Sequence, residues 1–259
     1  MNILFIGDIV GSPGRNAVKE ILPRLKNKYA LDFVIANAEN ASGGSGLTPK
    51  SAQELFSYGI DVLTNGDHVF KKREIIEAFG SEKRMLRPAN FPAMVPGKGG
   101  NVFETAGGKK VGVINVAGRV FMPPLDCPFT SARGLVEGIL KETNIIIVDI
   151  HAEATSEKVA FGWFLDGVAS AVVGTHTHIQ TADERILPRG TAYITDVGMC
   201  GPMDSVIGRR IEDVLERFLT QIPAHFNVAE ENVQMHGVLL DIDAGSGKAK
   251  NITRIQERL

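Results

Sequence analysis

Residues 2–40 read NILFIGDIVGSPGRNAVKEILPRLKNKYALDFVIANAEN. The stretch opens on an apolar run, NILFIGDI (2–9), that closes on Gly-Asp. A segment follows with Val18, Ile21, Leu22 and Leu25 at helical spacing, and then a second apolar run, LDFVIANAEN (31–40). Unbroken β-branched runs on either side of an amphipathic helix are the pattern of strands buried on both faces of a sheet. The order strand, helix, strand therefore points to an α/β fold.

The same alternation continues outward. TPKSAQELFSYG (48–59) starts with Thr-Pro and stops at Gly, as a helix does. IDVLTNGDH (60–68) is a third strand, and KKREIIEAFG a helix behind it. The Pro- and Gly-rich segment 87–100 reads as loop, and KKVGVINVAG (109–118) as a strand. A helix at 131–141 leads to NIIIVDIHAE (144–153), the helical SEKVAFGWFLDG leads to VASAVVGTHTH, and GTAYITDVG (190–198) is a sixth strand. The tail, VQMHGVLLDIDA (233–244) and KNITRIQERL, reads as an antiparallel pair. The expectation is a second sheet, built from the later strand-rich part, packed on the first. No repeat or long linker divides the chain, so residues 1–259 are expected to form one domain.

Composition limits the function classes. Of 259 residues, 44% are hydrophobic and 22% charged, as in ordinary globular proteins. A formal net charge of -2 gives no electrostatic case for a nucleic-acid or membrane-surface binder. The opening lacks the basic and apolar regions of a signal peptide, and no apolar run reaches the ~20 residues of a membrane helix. Cys127 and Cys200 are far apart and are expected to be free thiols of a cytoplasmic protein.

Polar residues collect where the strands end. The first run ends at Asp8, the second at Glu39-Asn40, the third at Asp67-His68, the fourth at His151 and the fifth at His176 and His178. Carboxyl ends of strands in α/β sheets form the crevice where ligands bind. Any one of these groups alone has an ordinary explanation: Asp8 as a helix cap, His151 as a core histidine. Together they are polar groups that need a partner, and a metal supplies one. If GTHTH is a strand end, His176 and His178 point to the same side of the sheet. Carboxylate, amide and imidazole without thiolate suit Mn, Fe, Zn or Mg and do not select among them. Seven side chains exceed the three of a single catalytic zinc and match two ions bridged by a carboxylate.

The forms FIGDIVGSPGR, NAEN, RPANFP, HAEATSEK and GTHTHIQTADERILPRGTAYITDVGM resemble the YmdB-like bacterial branch of the calcineurin-like metallophosphoesterase superfamily, over nearly the whole chain. The resemblance implies a four-layer sandwich of two mixed sheets flanked by helices, and a bimetal centre. It implies hydrolysis of nucleotide phosphodiesters, cyclic ones included, by a metal-bridged hydroxide. It assigns Asp8, Asn40 and His178 to one divalent ion and Asp67, His151 and His176 to the other, with Glu39 bridging. Two positions depart from the wider superfamily. Residue 10 is Val where a ligand histidine is usual, and Asn40 stands in for it. Asp67 replaces the usual asparagine, which adds a negative charge and predicts tighter retention of the second ion with weaker Lewis acidity, or a different metal preference.

His68 follows a ligand without being one, which suits a general acid for the leaving oxygen or a residue that orients Asp67. Asp149 and Asp196 either hold a ligating histidine by its other nitrogen or simply cap structure. ASGGSG (41–46) is a mobile lid or a plain turn, and GSPGR (11–15) a weak anion site or an ordinary helix start. Arg15, Arg87 and Arg119 are phosphate contacts or surface charges; Phe161 and Trp163 read as core; His225 and His236 lie outside the cluster. The partner expected is a small phosphoester or nucleotide, without a membrane; RNA has no support from charge, and a homo-oligomer is compatible. A regulatory protein that senses a nucleotide or RNA end with little turnover is the competing class.

Overall fold

The computed structural model describes residues 1–259. Gly7 cuts the first apolar run into β1 (Asn2–Ile6) and β2 (Asp8–Ile9). A Cβ at Gly7 would stand 2.0 Å from the Gly198 carbonyl oxygen, so only glycine permits this crossing. α1 (Gly11–Tyr29), β3 (Phe33–Asn37), α2 (Pro49–Ser57), β4 (Val62–Thr64) and α3 (Ile75–Ser81) follow. Thr48 caps α2, its hydroxyl accepting from the Ser51 amide at 3.1 Å. The middle of the chain gives β5 (Gly100–Glu104), β6 (Lys110–Ala117), α4 (Pro128–Ile139), β7 (Ile146–His151), α5 (Thr155–Phe164), β8 (Ala171–Thr175), β9 (Arg185–Ile186) and β10 (Ala192–Ile194). β11 (Met199–Pro202), α6 (Ile211–Thr220), β12 (Val233–Ile242) and β13 (Ala249–Arg258) complete it.

Two mixed sheets result. Seven strands run β2-β11-β12-β1-β3-β4 with β13 beside β12, and six run β5-β6-β7-β8-β10-β9. One core lies between the sheets, where Ile3, Phe5, Ile35 and Val238 meet Val113, Ile147, Val173 and Ile194. A second lies under α1 and α2 around Val18, Leu22 and Leu55, and a third under α4 and α5 around Val136, Phe161 and Tyr193. The order of layers is thus helix, sheet, sheet, helix. Both cysteines are free, and no helix is long and apolar enough to cross a membrane.

The second sheet comes from residues 100–194, and the antiparallel pair of the tail completes the first sheet, β12 pairing antiparallel with β1. Val238, Leu240 and Ile242 of β12 enter the core beside Ile3 and Phe5, an attraction that hydrophobic patterning within one segment does not encode. Four elements escape sequence reading. β5, β11 and the two-residue β9 are short, and α6 presents one amphipathic stripe in a segment rich in charge.

Candidate metal centre

Three parallel strands of the first sheet and two of the second end at one crevice. Asp8 follows β1, Glu39 and Asn40 follow β3, and Asp67 and His68 follow β4. His151 closes β7, and His176 and His178 follow β8. All seven expected ligands and His68 come together there.

One half of the cluster is compact: ligand atoms of Glu39, Asp67, His151 and His176 lie within 4.8 Å of one another. His151 Nε2 stands 3.2 Å from Glu39 Oε1 and 3.3 Å from Asp67 Oδ1, and His176 Nδ1 is 3.5 Å from Asp67 Oδ1. In the other half, His178 Nε2 lies 3.7 Å from Asp8 Oδ1 and 3.2 Å from Asn40 Nδ2. Glu39 Oε1 touches both halves, since it also accepts from Asn40 Nδ2 at 3.2 Å. Gly66 makes the approach possible: a Cβ there would stand 2.1 Å from His151 Nε2 and 2.3 Å from Glu39 Oε2.

The charge in this cluster fits cations. Asp8 and Glu39 are fully buried, and the ion-pair partners of Asp8, Glu39 and Asp67 are all histidines, with no Lys or Arg among them. Asp8 Oδ1 and Asp67 Oδ1 are buried oxygens without a hydrogen-bond partner, the costly arrangement a divalent ion relieves. Burial pushes the Asp8 carboxyl up to about 7. Burial also opposes a charge on His151, but Glu39, Asp67 and Asp8 outweigh it and raise His151 well above its ordinary value. Burial and the adjacent His151 push His176 down to about 4.

Other groups aim the imidazoles. The His151 Nδ1–H donates to Thr175 Oγ1 at 2.8 Å, and that hydroxyl donates to Asp149 Oδ1 at 2.7 Å. Asp149 therefore holds His151 through Thr175 and leaves Nε2 for the crevice. Burial raises the Asp149 carboxyl to about 6, and Thr64 donates to its other oxygen at 2.6 Å. His178 donates Nδ1–H to the Ile207 carbonyl at 3.0 Å.

The two-histidine stretch differs from its sequence reading. His176 and His178 lie beyond β8 with φ of 98° and 64°, so strand alternation does not aim them. Asp196 does. Its Oδ2 accepts from the Thr177 amide at 3.1 Å and the Thr177 hydroxyl at 2.6 Å, and Oδ1 from the Gly198 amide at 2.8 Å. Lys158 of α5, itself buried, donates to the same Oδ2 at 2.7 Å. Asp196 thus grips the residue between the histidines, not a histidine. Gly174 admits this packing, because a Cβ would lie 1.8 Å from the Thr195 carbonyl oxygen and 3.0 Å from Lys158 Cδ.

His68 donates Nδ1–H to Asn40 Oδ1 at 2.8 Å, and its Nε2 lies 3.9 Å from Asp67 Oδ2. The Glu39 carboxylate beside it raises its pKa. Arg15 is occupied by Glu54 at 2.9 Å, and Arg87 by the Pro88, Val95 and Pro96 carbonyls, so both are structural. Phe161 is core, whereas Trp163 is half-exposed. The 41–46 segment is a turn with Gly43, Gly44 and Gly46 at positive φ, and Gly44 and Ser45 line the crevice. A cavity of about 430 Å³ opens there, with Glu39, Asn40, His68, His176 and His178 on its floor. Sequence reading missed Thr175, Lys158 and Ile207, whose roles depend on partners distant along the chain.

The chain resembles known proteins over its length. A family model described as YmdB-like protein matches residues 4–255. A 2',3'-cyclic-nucleotide 2'-phosphodiesterase of Bacillus subtilis (strain 168) is 53% identical over 255 residues, covering 98% of this chain and 96% of that one. A crystal structure of a protein from Thermus thermophilus superposes with a TM-score of 0.93 at 42% identity, covering 100% of this chain and 99% of that one. The crystal structure of a phosphatase from Mycoplasma pneumoniae gives 0.92 at 37% identity, covering 100% and 93%. The chain belongs to the YmdB-like family.

Proposed function

We infer that the protein is a bimetal phosphodiesterase acting on nucleotide phosphodiesters, 2',3'-cyclic nucleotides among them. The observation that carries the reading is the buried carboxylate cluster whose only ion-pair partners are imidazoles and which retains two orphaned oxygens. The Bacillus relative, named for 2',3'-cyclic nucleotides, supports the substrate class. Asp67, His151 and His176 would hold one ion, Asp8, Asn40 and His178 the other, and Glu39 both. Asn40 would serve through its oxygen, which requires that oxygen to turn away from His68. Divalent ions so held supply Lewis acidity toward a phosphoryl group and make water a competent nucleophile near neutrality. Because each ion would draw ligands from both sheets, residues 1–259 act as one domain.

The chain's own residues orient and protonate. Asp149 and Thr175 keep the Nε2 lone pair of His151 directed inward, and Ile207 does the same for His178. Asp196 and Lys158 fix the turn that carries His176 and His178. With Asn40 so turned, its amide NH2 would donate to His68 Nδ1 in place of the present contact, which leaves the proton on Nε2 for the leaving alkoxide. The test strips the protein with chelator, reloads Mn, Fe, Zn or Mg, and assays mono-, di- and cyclic phosphoesters beside metal analysis. The expected result is about two ions per chain and metal-dependent hydrolysis of diesters. Fewer than one ion per chain with no hydrolysis refutes the reading.

A further inference from the structure

The crevice has one wall that the metal cluster does not use. Arg209 is the only Lys or Arg lining it. Its Nη1 donates to the Gly43 carbonyl at 3.3 Å and the Phe226 carbonyl at 3.0 Å, and its Nη2 donates to the Gly44 carbonyl. Three of the five guanidinium N–H groups are thus committed, while Nε–H and one Nη2–H carry no partner. No carboxylate neutralises it, although Glu39 and Glu153 line the same cavity. The carbonyls lock the guanidinium in place, and a Cβ on Gly44 would stand 2.4 Å from Nη1.

Beside Arg209 lie the two apolar residues of the cavity, Ile207 and Phe226. Ile207 has φ of 48°, a conformation that costs a β-branched residue about 1–3 kcal/mol. The conformation aims its carbonyl at His178 and leaves the residue 47% exposed. An exposed isoleucine, a partly buried phenylalanine and an unneutralised arginine next to a phosphoryl site make a surface for an anion that carries a ring.

We propose that Arg209 binds a non-bridging phosphoryl oxygen through its two uncommitted N–H groups, and that Phe226 with Ile207 receives the nucleobase. This rests on the phosphodiesterase reading above and adds what selects the substrate. Nε–H and an Nη–H present the forked geometry that suits phosphate oxygens. An aromatic face accepts any base, so the wall favours nucleotides over alkyl phosphates without choosing among bases.

The test compares the parent with Phe226→Ala, Phe226→Leu, Arg209→Gln and Arg209→Lys. The readouts are metal content, KM and kcat for a 2',3'-cyclic nucleotide, and inhibition constants for inorganic phosphate and adenosine 3'-monophosphate. Phe226→Ala is expected to weaken adenosine 3'-monophosphate about tenfold, by loss of stacking, and to leave inorganic phosphate as it was. Phe226→Leu keeps the apolar volume and is expected to fall between parent and alanine. Arg209→Gln is expected to weaken both inhibitors and raise KM, with metal content equal to the parent and partial recovery in Arg209→Lys. Equal loss of both inhibitors in Phe226→Ala, or a loss of metal in the Arg209 variants, reduces the wall to a structural one and overturns the proposal. So does an active parent whose variants match it. An inactive, metal-loaded parent overturns the phosphodiesterase reading itself, before any variant is measured.

Discussion

Replacing Lys158 with methionine tests whether a buried ion pair holds the two-histidine turn. Lys158 is 1% exposed and Asp196 is 0% exposed, with 2.7 Å between Nζ and Oδ2. Methionine fills much of the same volume, so the change isolates the charge. Removing one partner of a buried pair typically costs ~3–5 kcal/mol, since the other charge is left uncompensated. Here Asp196 retains three donors, the Thr177 amide, the Thr177 hydroxyl and the Gly198 amide. That residual solvation puts the expected loss at the lower end, about 3 kcal/mol. Urea unfolding in chelator, with the metal contribution removed, reads it directly. At a slope of about 3 kcal/mol per molar, the midpoint falls by roughly 1 M. Asp196→Asn and the double variant complete a cycle, in which the pair should couple by at least ~1 kcal/mol. Metal should also leave Lys158→Met faster than the parent, because Thr177 loses the rigidity of its anchor. A midpoint shift worth less than ~0.5 kcal/mol, or strict additivity in the cycle, refutes the reasoning.

Three further outcomes are expected. Gly66→Ala places a Cβ against His151 and Glu39, at 2.1 and 2.3 Å, and should leave less than one ion per chain while circular dichroism keeps the parent's fold; full metal content contradicts it. Asp67→Asn removes one of three carboxylate charges, so the second ion should be lost faster on dialysis against chelator, with higher turnover per loaded site; equal retention and equal turnover would sink the charge argument. Asp183 provides a pH test away from the crevice. Burial opposes its charge, but bonds from Thr181 and Thr195 outweigh burial and hold its carboxyl below the usual value. A depressed folded-state value contributes stability above the unfolded value of about 4, which is lost as pH falls through the folded one. Asp183→Asn should therefore flatten the acid limb of the stability curve, and an unchanged limb refutes the assignment.

The long strand runs, the helices between them and the polar residues at the strand ends were legible in the sequence, because fully buried parallel strands are unbroken apolar runs and their ends are where polarity returns; Glu153 and Arg209 of the same crevice were not. Sheet membership was not. Val238 and Leu240 look like any alternating strand until Ile3 and Phe5 are seen opposite. The geometry of the histidines was not legible either: strand periodicity stops at Thr175, and the backbone turns at His176 and His178 are imposed by Asp196, eighteen residues beyond the second histidine. Nothing in the sequence around Lys158 marks it as buried, since its partner comes from another part of the chain.

The position of β1 has a consequence for how the protein is made. Its five residues pair on one side with β3 and on the other with β12, Asn2 opposite Asp241, and the terminal ammonium donates to the Ile242 carbonyl at 2.8 Å. β1 is therefore synthesised long before β12, the strand that covers its edge. Such distant pairing slows folding and exposes an apolar edge meanwhile. During synthesis the nascent chain carries Asp8 and Glu39 on a half-built sheet, so a stop codon ahead of Val233 should yield an insoluble product, not a weakened enzyme.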